Sequence, residues 1–156
     1  MKEITLTKGY KTIVDDDDYE AVSQYKWNVL VAKHTVYARR YVPGNGNKGS
    51  QFLHHFLLGC KRVDHIDRNG LNNCRNNLRP ATVQQNACNK ISVGGTSQYK
   101  GVYLNRKAWR AMIRIDKKKV HIGSYKTEIE AAKAYDAMAI KIQGEFARPN
   151  FPKEIK

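Results

Sequence analysis

VDHIDRNGLNNCRNNLRPATVQQNACN, residues 63 to 89, carries seven asparagines and a histidine, His65, set between two acids, Asp64 and Asp67. The stretch opens on an Asp-His pair at the end of a short apolar run. It passes through a loop crowded with Asn, Asp and Gly, and ends in a segment able to form a helix that bears amide side chains. A plain core element has no use for that set. A small metal site that cleaves phosphodiester bonds uses nearly all of it.

Hydrolysis of a phosphodiester at one metal needs a base for water, a cation to polarise the phosphate and steady the leaving oxygen, ligands for the cation, and a group that orients the base. His65 suits the base, because an unperturbed imidazole titrates close to neutrality. Asp64 offers a hard oxygen ligand and Asn86 a neutral carbonyl oxygen. So thin a donor set suits one Mg²⁺, which keeps several waters and takes phosphate oxygens as further ligands; Mn²⁺ and other divalent ions remain open. Asn77 is read as holding the imidazole, by an amide contact to one ring nitrogen or to the histidine backbone. The bland reading stands beside this one: Asn69-Gly70 is a turn signal, and Asn72 and Asn73 are equally read as groups that satisfy loop backbone.

The rest of the chain points to a polyanionic partner. Of 156 residues, 28 are Lys or Arg and 14 are Asp or Glu, a net charge of +14. Both halves share the excess: 14 basic against 8 acidic residues in 1–95, and 14 against 6 in 96–156. Phosphate neutralisation with counterion release makes nucleic acid the leading partner. A membrane is disfavoured, since no apolar run spans a bilayer and no basic amphipathic helix with bulky aromatics occurs. No signal peptide is legible, so a soluble, cytoplasmic protein is expected. Cys60, Cys74 and Cys88 are odd in number and form no CxxC pair, which favours free thiols over a disulfide framework or a zinc knuckle.

Outward from residues 63–89 the elements are short. Residues 1–14 alternate around Lys8-Gly9 as a hairpin. The run Asp15 to Asp18 precedes YEAVSQY, where a helix can begin; acids there are read as capping and dipole groups before they are read as a metal site. Residues 25–42 form a second hairpin turning near Lys33-His34, with Trp27, Val29 and Val31 on one face, and a Gly/Asn loop covers Asn45 to Ser50. QFLHHFLLG, Gln51 to Gly59, is a short apolar helix or strand carrying His54 and His55, which point different ways in either element.

From Ile91 to Gln98 the pattern breaks into Gly, Ser and Thr, the mark of a linker. Beyond it, Tyr99 to Leu104, Ala108 to Asp116 and Lys119 to Tyr125 read as three strands. Trp109, Ala111, Ile113 and Ile115 share one face, with Arg110, Met112 and Arg114 on the other. Thr127 and Glu130 make a capping box and Gly144 a stop. Ala131, Ala134, Tyr135, Met138 and Ile142 form an apolar stripe that packs on the Trp109–Ile113 face. The opposite, uncovered face, with Lys100, Arg106, Arg110, Arg114 and Lys117 to Lys119 nearby, is nearly unrelieved by acids and suits the major groove. Its plain alternative is a solvated antiparallel sheet.

Two resemblances sharpen this reading. DHIDRNGLNNCRNNLR followed by QNACN resembles the ββα-metal motif of HNH endonucleases, in the Asn-ending variant of phage and intron homing enzymes. The resemblance implies His65 as general base, Asp64 and Asn86 as metal ligands and Asn77 as the residue that orients the base, with Asn89 one helical turn on as support. LTKGYKTIVDDDDYEAVSQYKW, YARR and LHHFLLG are similar to the N-terminal region of phage HNH proteins, where the histidine corresponding to His54 recurs; His55 replaces the usual Arg. YKGVY, AWRAMIR, HIGSY and EAAKAYD resemble the AP2 DNA-binding domain. That likeness implies DNA contacts at Lys100, Arg114 and His121, and at Arg110 and Lys119; Tyr103 and Arg106 lie on the same basic surface. Tyr103 and Met112 stand where the plant-type pattern has Arg and Glu, so no base preference carries over.

The expectation is an α+β chain: an HNH unit with hairpins over 1–92, a linker over 93–98, and an AP2-like three-stranded sheet on one helix over 99–156. Its expected activity is metal-dependent cleavage of double-stranded DNA, by a monomer or a transient dimer on the DNA. The rivals are a non-catalytic DNA-binding regulator and, on charge alone, an RNA-binding protein.

Overall fold

A computed structural model describes residues 1–43, 49–90, 95–116 and 118–152. The architecture is mixed α and β, with small antiparallel sheets and, among the described residues, four α-helices. The chain divides into two compact units, Met1–Asn86 and Ala87–Lys156.

In the first unit, β1 (Lys2–Thr5) and β2 (Lys11–Val14) pair as the expected hairpin around Lys8 and Gly9, both at positive φ. Alternation buries Ile4, Thr12 and Val14. Helix α1 (Asp16–Ser23) follows with Asp16, Asp17 and Asp18 in its first turn, where the helix dipole favours anions. The capping expectation needs correction at Asp15: its side chain makes no cap bond. Asp15 Oδ2 accepts instead from the backbone N–H of Arg75 at 2.7 Å, and Asp18 takes the Arg75 guanidinium at 2.8 and 2.7 Å. The acids thus fasten the helix to the asparagine loop.

A sheet of β3 (Asn28–Val31), β4 (Val36–Val42) and β5 (Gly49–Phe52) comes next, in the order β3-β4-β5. Gly49 and Ser50, expected in a loop, belong to this third strand, and 44–48 lie outside the described residues. Trp27 is buried and Val29 half-buried; Val31 shares the face of Val29 in the strand register but is 58% exposed at the strand's end. Helix α2 (Leu53–Leu58) carries both His54 and His55. The core gathers Ile4, Leu6, Val14, Val22, Trp27, Ala38, Leu53, Leu57, Val63 and Leu78.

Residues 63–88 form two short strands and a helix: β6 (Val63–His65), β7 (Leu78–Pro80) and α3 (Val83–Cys88). The strands pair antiparallel, with Asp64 opposite Arg79 and His65 opposite Leu78. The intervening loop is stitched to β2: Ile13 N–H donates to Leu71 O and Asn73 N–H to Ile13 O, both at 2.9 Å.

The second unit is a meander of β8 (Val102–Asn105), β9 (Ala108–Ile115) and β10 (Lys118–Tyr125) packed on α4 (Glu128–Gln143). Tyr99 to Gly101, expected in the first strand, form a turn. The reason is Gly101, at φ +76°: a Cβ there would lie 2.0 Å from the Tyr135 ring. Thr127 and Glu130 make both bonds of the capping box. The buried stripe of α4 is Ala131, Ala132, Tyr135, Asp136 and Ala139, so it is rotated from the expected one and Ile142 is 42% exposed. Asp136 explains the rotation. Its carboxylate accepts from the N–H groups of Asn150 and Phe151 and from the Asn150 amide, which also donates to Lys100 O. A buried acid needs such donors, and here they clasp Asn150 and Phe151 to the helix.

Candidate active site

His65, Asp64 and Asn77 are buried around the β6–β7 ladder, and Asn86 comes to it from α3. The Asn86 amide nitrogen donates to Val63 O at 3.0 Å, which turns the carbonyl oxygen away from that contact and ties Asn86 to the strand that carries Asp64. Arg79 lies across from Asp64, with Nε 3.0 Å and Nη2 2.8 Å from Oδ2.

The His65 ring is set by a chain of bonds whose polarity can be worked out. Thr12 Oγ1 donates to Leu71 O at 2.7 Å and therefore accepts from Asn73 Nδ2 at 2.8 Å. Asn73 Nδ2 also faces Gly70 O, which can only accept, so the amide orientation is decided. Asn73 Oδ1 then points at His65 Nε2, 3.3 Å away, and the neutral ring carries its proton on Nε2 and its lone pair on Nδ1. Burial pushes the His65 pKa down, against smaller opposing effects of Asn73, Asp67 and Asp64. At neutral pH the ring is an unprotonated base.

Asn77 is placed differently from a direct orienting contact. Its Nδ2 donates to Asp67 Oδ1 and Asn72 O, both at 2.8 Å, and its Oδ1 accepts from Asp67 N–H at 2.9 Å. It holds the loop that follows the base. Asn73, read from the sequence as turn chemistry, is the side chain that meets the imidazole.

His54 stands edge-on to His65, with ring centroids 4.8 Å apart, and stacks on Phe52 at 5.3 Å. Desolvation, with His65 and His55 nearby, lowers its pKa to about 3, and its Nδ1 is buried without a hydrogen bond among the described residues. Tyr37 of β4 completes the aromatic wall, 5.7 Å from His54 and 6.0 Å from His65. Burial, and then the Asp64 charge, raise its pKa. Gly70 permits this approach, because a Cβ there would stand 2.5 Å from the Tyr37 ring and 2.4 Å from Val36 O. Arg79 and Tyr37 went unnoticed in the sequence, and Asn73 reads there only as a group that satisfies loop backbone; the contact each makes at the centre depends on the fold and not on its neighbours in sequence.

A divalent cation fits this donor set in kind. Asp64 is a buried carboxylate and Asn86 an amide anchored beside its strand, both hard oxygen donors. No group of three or more His, Cys, Asp or Glu able to cage a metal occurs among the described residues, so the set is the thin one that leaves water and phosphate to fill the shell. Asp15 and Asp18 are drawn to Arg75 instead, and Asp16 pairs with the N-terminal amine at 2.9 Å. The three cysteines are free thiols, as expected.

In the second unit the strand register puts Tyr103, Arg110, Met112, Arg114, Lys119 and His121 on the sheet face opposite Ala111 and Ile113. Arg114, Lys119 and His121 are exposed; His121 Nε2 lies 3.3 Å from Ser124 Oγ. Arg106 marks the β8–β9 turn at φ +55°. Lys100 departs from this group: its ammonium is half-buried and donates to Cys88 O, and desolvation lowers its pKa. Asn89 is buried in the same unit. Lys117 lies outside the described residues.

A buried histidine thus lies beside an acid and an amide in a chain of net charge +14, and among the described residues no helix is long and apolar enough to cross a membrane. No family model matches the chain. It is 34% identical to an uncharacterised HNH endonuclease of Acanthamoeba polyphaga mimivirus, over 92% of this chain and 76% of that protein. The chain belongs to the HNH endonuclease family. It also resembles an ethylene-responsive transcription factor-like protein of Arabidopsis thaliana, 38% identical over 33% of this chain and 22% of the relative, and an APETALA2-like protein of Oryza sativa, 40% identical over 36% of this chain and 14% of the relative.

Proposed function

We propose that the chain is a metal-dependent endonuclease of the homing type that cuts double-stranded DNA, with an AP2-like unit holding the target. The observation that carries the reading is the His65 centre: a neutral imidazole with its lone pair on Nδ1, beside a buried Asp64 and an anchored Asn86. In the proposed reaction His65 Nδ1 takes the proton of the attacking water. Asp64 and Asn86 would hold one divalent ion, Mg²⁺ foremost and Mn²⁺ as an alternative; when bound it supplies charge that stabilises the phosphorane-like transition state and the departing 3′ oxygen. Asn73 keeps the ring in the required tautomer, and Asn77 keeps the 67–72 loop in place. The ββα-metal and AP2-like assignments rest on the strand–strand–helix order of residues 63–88 and on the basic face of β8 to β10. One centre per chain makes a nick the natural product of a monomer, and a double-strand break the product of a transient dimer on DNA.

The deciding experiment incubates supercoiled plasmid with the protein in Mg²⁺ or in EDTA. The proposal expects nicked or linear product in Mg²⁺ alone. Binding without metal-dependent cleavage of any DNA would leave the regulator as the better reading.

A further inference from the structure

The outer face of the β3–β4–β5 sheet runs directly out of the catalytic centre. Residues paired across an antiparallel ladder share a face, and so do residues two apart along a strand. Tyr37, Arg39 and Tyr41 of β4 therefore stand in a row, with Phe52 and Asn28 flanking Arg39. The row begins at the histidines, where the Tyr37 ring is 5.6 Å from Phe52 and 6.0 Å from His65. It ends at Tyr41, which is 58% exposed. The other face of β4 is spent on the fold: Ala38 is buried in the core, and Arg40 lies 3.6 Å from the Tyr25 ring while its Nε donates to Gln51.

Arg39 has no such occupation. Its guanidinium sits 5.6 Å over the Tyr41 ring, and among the described residues no acid pairs with it and its buried Nε has no hydrogen bond. A half-buried guanidinium with an unused donor is costly unless an acceptor arrives. A backbone phosphate is the acceptor whose charge and geometry match it. Aromatics on either side would cover the sugar without reading sequence. Arg39 is about 7 Å along the face from Tyr37, which places it for a phosphate flanking the one at His65.

We propose that the Tyr37–Arg39–Tyr41 row is the seat of the DNA strand beside the cut, with Arg39 binding a flanking phosphate. The inference rests on the nuclease reading above. The test uses the full chain with supercoiled plasmid in Mg²⁺, comparing wild type with Arg39→Gln and with Arg39→Met, which keeps the aliphatic stem over Tyr41 if Gln does not fold. KM should rise roughly tenfold, the loss of one charge-assisted hydrogen bond, with kcat nearly unchanged. The slope of log KM against log salt should fall by about one. A merely structural arginine would not move that slope. A folded variant with wild-type KM and slope overturns this inference alone. A wild type that cleaves no plasmid overturns the nuclease reading and this inference with it.

Discussion

Asp64 and Arg79 face each other across the β6–β7 ladder, and two nitrogens of the guanidinium, Nε and Nη2, converge on one carboxylate oxygen, Oδ2, at 3.0 and 2.8 Å. Both side chains are nearly out of solvent, 5% and 12% exposed. Removing one partner of such a pair costs far more than removing both. Arg79→Met should destabilise the protein by about 3 kcal/mol, and adding Asp64→Asn should restore much of that. A double-mutant cycle in urea measures it; additivity within about 0.5 kcal/mol would mean the two do not couple.

His65→Ala should abolish plasmid cleavage while leaving DNA affinity nearly intact, since in the proposed reaction the base acts on the attacking water, a role worth roughly 10²- to 10⁴-fold. Equal cleavage by mutant and wild type in excess metal would remove His65 from the mechanism. Asn73→Ala should lower kcat on the order of tenfold with little change in KM, because it frees the tautomer rather than deleting the base. Asn77→Ala should act through the loop: Asp67 N–H loses its acceptor, so amide exchange there accelerates.

The pH dependence follows from the lowered pKa of His65. Cleavage should rise with pH and reach its plateau at or below neutrality, because the group that must be unprotonated is already so at pH 7. A pH–rate profile with a midpoint above 6.5 would contradict the burial of this ring.

His54 adds a stability term of definite sign. Its folded pKa is about 3 and its unfolded value 6.5, so between those limits the unfolded chain binds the extra proton. Its contribution is complete above pH 6.5 and is lost as pH falls, by about 1.4 kcal/mol per pH unit. Urea unfolding at pH 7 and pH 5 should show that loss, and His54→Phe should flatten it.

Gly101→Ala should unsettle the second unit without touching His65. The new Cβ would meet Tyr135 at 2.0 Å and Met112 O at 2.8 Å, at a φ that L side chains rarely adopt. A penalty of about 3 kcal/mol is expected from strain and overpacking together, and with it a fall of roughly 15 °C in the transition of that unit. Calorimetry of the full chain reads this directly.

The parts of the molecule written in local pattern were legible in advance. Alternation marked the first hairpin and the β8–β10 meander, and the Thr127–Glu130 pair marked the start of α4, because period and capping depend on near neighbours alone. The rotation of the α4 stripe was not legible, since it is Asn150, 14 residues beyond Asp136, that makes a buried acid tolerable. The same limit hid β5 and the departure of Lys100 toward Cys88 O.

In the stretch 63–89 the sequence by itself determined the chemistry on offer: one base, two hard oxygen donors and a loop rich in amides. Only the tertiary structure decided which amide meets the base. Asn73 and Asn77 are interchangeable as letters; what separates them is Thr12, 61 residues away, whose hydroxyl must donate to Leu71 O and so turns the Asn73 oxygen toward His65. Hydrogen-bond polarity is settled by the whole network of donors and acceptors, and that network exists only when β2 lies against the loop.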